Sequence, residues 1–268
     1  MESIGGERTM TKYGMPTMIE TETLEQCAST CRALGLDFVE LNLNFPQYLL
    51  HKLDAEELNK LAQQYQIGYT IHLDDEMSVA DFNPYVAQGY CKTVLDTIAL
   101  AKRIGAKKLN MHLSRGAKYT LPTKVIYFFE AYEAEYLENM KRFRDACTEA
   151  IGDSDILICV ENTNGFLPFQ QKALEILLES PAFGLTFDIG HNYCAKDADE
   201  GWILAHSHRL SHFHIHDAKD GTRDHLALGR GELDVKRYLT LAERLECSVV
   251  LETKTVEGLT ESVNWKNA

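Results

Sequence analysis

The stretch LSHFHIHDAK, residues 210–219, places His212, His214 and His216 at alternate positions, with Phe213 and Ile215 between them. Period two is the strand pattern, so the imidazoles share one face and the apolar side chains the other. An aligned row of imidazoles is costly to bury unless each is hydrogen-bonded or ligates a metal. The same residue types recur at the ends of other apolar runs. His72 follows GYTI, His112 follows KKLNM, Glu161 follows DILICV and Glu252 follows SVVL; Asp188 follows FGLTF, with His191 three residues on. A lone histidine at a strand end is commonly a structural hydrogen-bonding residue, and a lone glutamate there is commonly the first polar residue of a loop. Six strand ends carrying metal-ligand residue types exceed what loop composition supplies. Three ionised carboxylates held close together repel strongly. A divalent cation removes that conflict. Glu161, Asp188 and Glu252, with His214 as a neutral nitrogen donor, suit Mn²⁺, Co²⁺, Mg²⁺ or Zn²⁺.

These residues need a frame that brings strand ends together. Strand patterns fall at 13–19, 37–43, 68–73, 107–113, 155–161, 183–188, 210–216 and 248–252. Helical patterns fall between them, at 24–34, 54–65, 84–104, 123–151, 171–179, 198–208 and 234–245, with a short closing helix at 259–265. Residues 114–122 read as a polar loop. Asp54 is placed to cap its helix, and Gly35 and Gly105 to end theirs. Eight strands alternating with helices predict an α/β fold, a (β/α)8 TIM barrel, as a single domain over 1–268. Its C-terminal mouth collects all of these strand-end residues. A doubly wound sheet would want a glycine-rich turn after the first strand. No G-x-G-x-x-G occurs, and Gly5-Gly6 precedes any strand.

Composition narrows the function classes. Hydrophobic residues make up 45% of 268, enough for a sizeable core. Lys plus Arg is 27 and Asp plus Glu is 40, a formal net charge of −13. That disfavours a nucleic-acid partner, since polyanion binding is driven by basic surface. No apolar run approaches membrane-spanning length, and MESIGGERTMTKYG lacks the basic-then-apolar order of a signal peptide. Seven cysteines without C-x-x-C spacing fit reduced thiols in the cytoplasm.

The motifs VENT (160–163), FDIGH (187–191), FHIHDAK (213–219) and VLET (250–253) resemble the xylose isomerase-like TIM-barrel superfamily, over roughly residues 36–253. That superfamily includes sugar and sugar-phosphate isomerases and epimerases, and endonuclease IV. In the isomerase and epimerase branch the resemblance implies one metal, held by Glu161, Asp188, His214 and Glu252. It also implies that Glu161 and Glu252 shuttle a proton next to a carbonyl, while the metal stabilises a cis-enediolate. His191 is then a substrate contact. The partner so implied is a small sugar or sugar phosphate, and homo-oligomers occur among such proteins.

In the endonuclease branch three zinc ions are implied. His72, His112 and Glu161 match the first site, and Glu161, Asp188, His214 and Glu252 the second. The third uses a histidine like His191 and a D-x-H pair; here that stretch is Arg223-Asp224-His225. Arg223 stands where an anionic ligand belongs. A cation there disfavours a third ion and suits a substrate phosphate, carboxylate or hydroxyl at the rim. The sequence therefore points to a metal-dependent sugar isomerase or epimerase. A phosphodiesterase on abasic DNA and a dehydratase on the same barrel stay open, and the pair His72 and His112, as a second metal site or substrate contacts, keeps the former in view. Of the remaining polar residues, His216 and His225 are read as substrate contacts, His216 equally as a hydrogen-bond donor behind the metal. His212 reads as structural. Glu40 and Asn42 alternate inward, as substrate contacts or as a polar barrel layer.

Overall fold

The computed structural model describes residues 11–268. The N-terminal reading of MESIGGERTM and of Gly5-Gly6 lies outside the described residues. Eight parallel strands close into a barrel: β1 (Tyr13–Pro16), β2 (Phe38–Asn42), β3 (Gly68–His72), β4 (Lys108–His112), β5 (Leu157–Glu161), β6 (Phe183–Asp188), β7 (Leu210–Ile215) and β8 (Ser248–Leu251). Each pairs with its neighbour in sequence, and β1 pairs with β8 at Tyr13↔Val249 to close the ring. This is the (β/α)8 TIM barrel that the alternation of elements predicts.

The outer helices begin and end where side chains satisfy the free backbone groups. Thr23 accepts from the Gln26 N–H while the Gln26 side chain accepts from the Thr23 N–H, a reciprocal cap on Leu24–Ala33. Asp54 accepts from the N–H groups of Glu56 and Glu57 ahead of Ala55–Tyr65. Asn83 caps Pro84–Ile104, which ends at Gly105 with φ 69°.

The strands divide their side chains between two cores. Ile71, Leu109, Ile158, Val160, Leu185, Phe187, Phe213, Ile215, Val249 and Leu251 face the helices and are fully buried. The opposite face, inside the barrel, is polar instead of aliphatic. One layer holds Glu40, Thr70, Asn110, Thr186 and His212, all buried. The layer above, at the strands' C-terminal ends, holds His72, His112, Glu161, Asp188 and His214. One register shift decides this arrangement. β6 and β7 pair at Leu185↔Leu210 and then at Thr186↔His212, so Ser211 is the extra residue of a bulge. Without it, period two would turn His212 and His214 toward the helices. With it, they join Thr186 and Asp188 in the interior.

Four stretches differ from the sequence reading. Residues 114–122 are not all loop and 123–151 is not one helix: Lys118–Thr120 and Val125–Tyr127 form an antiparallel hairpin, and the helix runs from Glu133 to Ile151 after a short turn of helix at Phe128–Ala131. The turn at 121–124 contains Pro122, and the Leu121 N–H donates back to the Lys124 carbonyl at 2.8 Å. Phe129, Tyr136, Met140 and Phe143 still fall on the buried side. The helix read over 198–208 is Glu200–Ala205 followed by a 3₁₀ turn, Ser207–Arg209. A hairpin of Asp217–Lys219 with Arg223–Leu226, and a helix Ile189–Cys194, stand where the sequence showed neither. Among the described residues, no helix is long and apolar enough to cross a membrane.

Candidate functional site

Glu161, Asp188, His214 and Glu252 come from β5, β6, β7 and the end of β8. One ligand atom of each lies within 4.8 Å of those of the others, and all four residues are buried. His214 Nδ1 is 3.0 Å from Glu252 Oε2 and 3.3 Å from Glu161 Oε2, with Asp188 Oδ2 at 4.0 Å. Yet Glu252 Oε2 and both ring nitrogens of His214 make no well-directed hydrogen bond. Buried polar atoms without partners are rare and costly. Three oxygen donors and one imidazole nitrogen converge on a shared space, as a hard or borderline divalent ion requires. The residues present therefore fit such an ion.

The surrounding residues hold the carboxylates in place. Asp188 Oδ1 accepts from the His191 N–H at 2.6 Å and so caps the helix Ile189–Cys194. Its backbone is clamped by Asn162, whose Nδ2 donates to the Asp188 carbonyl and whose Oδ1 accepts from the Asp188 N–H, both at 2.9 Å. That is the physical content of the asparagine in VENT. Asp188 Oδ2 is 3.1 Å from His216 Nε2. His216 Nδ1 accepts from the His225 N–H at 2.8 Å, so the ring's proton sits on Nε2 and is donated to Asp188. Gly190 leaves room for that ring: a Cβ there would lie 1.9 Å from His216 Cε1. Asn110 donates to Glu161 Oε2, and Thr186 in turn donates to Asn110 Oδ1 at 2.6 Å.

Glu161 is the hub of the mouth. Oε2 is 3.5 Å from His72 Nε2 and 3.3 Å from His112 Nε2, and Oε1 is 3.3 Å from His191 Nδ1. His72 Nδ1 lies 2.7 Å from the Leu73 carbonyl, which keeps a proton on Nδ1 and turns Nε2 toward Glu161. Asp75 closes a second group, 3.5 Å from His72 Nδ1 and 3.6 Å from His112 Nδ1. Burial alone would raise the carboxyl groups and lower the histidines, but paired charge outweighs it. The imidazoles of His214 and His112 hold Glu161 well below the usual carboxylate range, and His214 with Lys254 does so for Glu252. Reciprocally, Glu161 lifts His72 to about 9, and Asp188 with Glu161 lifts His191 to about 10. Protons on histidines thus balance the clustered carboxylates, the charge a divalent ion would otherwise supply.

The loop after β7 places its residues differently from the sequence reading. Arg223 is 60% exposed and ion-pairs with Asp220 on the outside of the hairpin, so the structure does not bring it to the cluster. The hairpin register, with Lys219 opposite Arg223, turns it outward. The cation at the rim is Lys254, whose Nζ is 2.8 Å from Glu252 Oε1. Sequence reasoning missed it because a lysine after a strand looks like surface. His225 does reach the site, with Nε2 3.5 Å from Glu252 Oε1 and Nδ1 2.9 Å from Asp224 Oδ1. Its φ of 54° lies in the left-handed region, which aims its N–H at His216. His191, His216 and His225 cluster, but both His216 nitrogens are engaged by protein groups. Asp217 organises the loop beyond the hairpin, accepting from the N–H groups of Gly229 and Gly231 through Oδ2, and from that of Leu233 through Oδ1. A Cβ on Gly231 would lie 2.3 Å from Asp217 Oδ1. A cavity of about 340 Å³ opens at the opposite end of the barrel, lined by Lys12, Lys107, Lys108 and Ser248 among others. None of the four converging residues lines it.

A parallel eight-stranded barrel with acid and imidazole side chains gathered at its C-terminal mouth defines the class. Residues 28–267 match the profile of the family described as "Xylose isomerase-like TIM barrel", and the chain belongs to that family. It is 22% identical over 207 residues to the uncharacterized protein MJ1614 of Methanocaldococcus jannaschii, covering 75% of this chain and 76% of that protein. Among solved structures it is similar to 3-keto-D-glucoside 4-epimerase YcjR from E. coli, with TM-score 0.75 and 14% identity over 96% of this chain and 99% of that one. A D-tagatose 3-epimerase-like protein aligns with TM-score 0.73 and 21% identity over 96% and 100%. The IolI protein with a bound zinc atom aligns with TM-score 0.73 and 15% identity, over 96% of each chain. At these identities the likeness establishes the fold, and the structural neighbours include sugar epimerases.

Proposed function

We propose that this protein is a divalent-metal-dependent isomerase or epimerase acting on a small sugar or sugar phosphate. The observation that carries the reading is the convergence of Glu161, Asp188, His214 and Glu252 on one space, with His214 Nδ1 and Glu252 Oε2 buried and unpartnered. The metal, Mn²⁺, Zn²⁺, Co²⁺ or Mg²⁺, would polarise a carbonyl and its neighbouring hydroxyl so that the proton on the adjacent carbon becomes acidic. Glu161 and Glu252 hold the proton on either side of the transfer: one carboxylate takes it from carbon and the other returns it. Asp188 is fixed by His216, by the His191 N–H and by Asn162, so its role is to ligate. His191 and His225 face the mouth and orient hydroxyl groups. Lys254, at the rim beside Glu252, takes the phosphate or hydroxyl end assigned from sequence to Arg223. The seven cysteines, all free thiols, support a reducing, cytoplasmic setting. The epimerase names among the structural neighbours support the substrate class.

A second reading is favoured by His72 and His112. Both aim Nε2 at Glu161 Oε2, and Asp75 stands behind them. His72, His112 and Glu161 could hold a second ion, which would supply the two-metal chemistry of a phosphodiesterase. The test for both is one preparation loaded with Mn²⁺ or Zn²⁺. Deuterium from solvent appearing at carbon in a ketose of a broad sugar panel supports the isomerase. Cleavage of abasic DNA, with no exchange into any sugar, reverses the choice.

A further inference from the structure

Beneath the mouth, polar residues of the barrel interior form a hydrogen-bonded chain that ends at Glu40, against His214. Glu40 Oε1 lies 2.9 Å from His214 Nε2, within reach though not in line for a hydrogen bond. Glu40 Oε2 accepts from Thr70 Oγ1 at 2.8 Å and lies 3.1 Å from His212 Nε2. His212 Nδ1 is 2.6 Å from Ser248 Oγ, and Lys108 Nζ donates to that oxygen at 2.8 Å. Glu40 is 2% exposed, and His212 and His214 are fully buried. Glu40 therefore sits one layer below the ligands and does not reach substrate.

The donors and acceptors of this chain have one consistent direction. Lysine has only donors, so Ser248 Oγ accepts from Lys108 and turns its own proton to His212 Nδ1. His212 then carries its ring proton on Nε2 and donates it to Glu40 Oε2. Thr70 donates to the same oxygen, so Glu40 Oε1 is left for His214. A histidine that ligates through one nitrogen must hold its proton on the other, and a buried N–H needs an acceptor. For His214 the ligating nitrogen is Nδ1, which faces Glu161 and Glu252. The acceptor in reach of Nε2 is Glu40.

We propose that Glu40 is a positioning residue for the metal centre: it fixes the His214 tautomer so that Nδ1 is the ligand, and Thr70, His212, Ser248 and Lys108 hold Glu40 in place. This rests on the metal site argued under the proposed function. A carboxylate behind a ligating histidine orients the ring and raises its basicity, and its loss typically lowers metal affinity 10–100-fold.

The test is a Co²⁺ titration of the full-length protein followed by its ligand-field absorption, with Glu40→Gln as the variant. Glutamine keeps the volume and an oxygen acceptor but removes the charge. The expected result is a Co²⁺ affinity about 10–100-fold weaker than wild type with shifted absorption bands, while near-ultraviolet circular dichroism of the metal-free forms is unchanged. Affinity within about twofold of wild type and an unchanged spectrum overturn the proposal. Nitrogen-detected NMR of histidine in the Zn²⁺-loaded wild type gives an answer that needs no variant to fold: the proton on His214 Nε2 supports the proposal, and the proton on Nδ1 overturns it. Wild type that takes up neither ion removes the metal site itself and this inference with it, an outcome distinct from normal uptake by Glu40→Gln.

Discussion

Glu161→Gln tests how the mouth balances its charge. Glu161 is 1% exposed and faces His72, His112, His191 and His214 within 3.5 Å. In the metal-free protein its charge helps to raise His72, His191 and His214 above the ordinary imidazole range. Breaking a buried pair by removing one partner ordinarily costs ~3–5 kcal/mol. Here the cost has a ceiling, because a stranded imidazolium can release its proton. For His72, lifted to about 9, deprotonation at pH 7 costs on the order of 3 kcal/mol. The variant treated with chelator should therefore lose at most ~3 kcal/mol through His72 at pH 7, and less as the pH rises through 9. Glutamine still accepts from Asn110, so that contact survives. Urea unfolding at several pH values measures the difference. The variant also lacks a proposed ligand, so Mn²⁺ affinity should fall more than the roughly 100-fold ceiling typical of outer residues. A stability loss equal at pH 6.5 and pH 10, or Mn²⁺ affinity within a few-fold of wild type, would refute the reasoning.

The same geometry has consequences for pH, packing and the rim. His72 and His191 are raised, so the stability they contribute is present below about 6.5 and lost as pH climbs through about 9 to 10. His212 is lowered to about 4, so its contribution is present above about 6.5 and lost as pH falls toward 4. The metal-free protein should melt at its highest temperature near pH 6.5, and added Mn²⁺ should raise the melting point most on the alkaline side; a flat profile in calorimetry would contradict the charge balance. Gly190→Ala forces a methyl group into the His216 ring and should destabilise the protein by about 1–3 kcal/mol, with weaker metal binding because Asp188 loses its donor; an unchanged unfolding midpoint would count against that packing. Once a substrate is found, Lys254→Ala should raise KM several-fold while Arg223→Ala leaves it unchanged, and the reverse pattern would return the rim role to Arg223.

The strand ends were legible because period two and residue chemistry are local. GYTIH, LICVE, FGLTFD and SVVLE each announce a strand and the group at its end, and barrel topology brings the ends together. What sequence alone did not show depends on contacts between distant segments. The bulge at Ser211 that turns His212 and His214 inward is a pairing event between β6 and β7. The D-x-H likeness puts Arg223 at the rim because a cation stands where an anionic ligand belongs, but its direction comes from the hairpin with Asp217–Lys219, which leaves it against Asp220. The helix Ile189–Cys194 is six residues long, too short for helical periodicity to register, and Asp188 caps it from the strand before. Glu40 sat correctly on an inward position, but its depth below His214 required the register of β2 and β3, Glu40↔Thr70.

The most direct measurement is anomalous diffraction from crystals grown with Mn²⁺ or Zn²⁺, collected at the metal's absorption edge. A peak about 2.0–2.3 Å from a carboxylate oxygen of Glu161, Asp188 and Glu252 and from Nδ1 of His214 is the predicted result. A metal-saturated crystal with no peak between those four side chains would contradict the account.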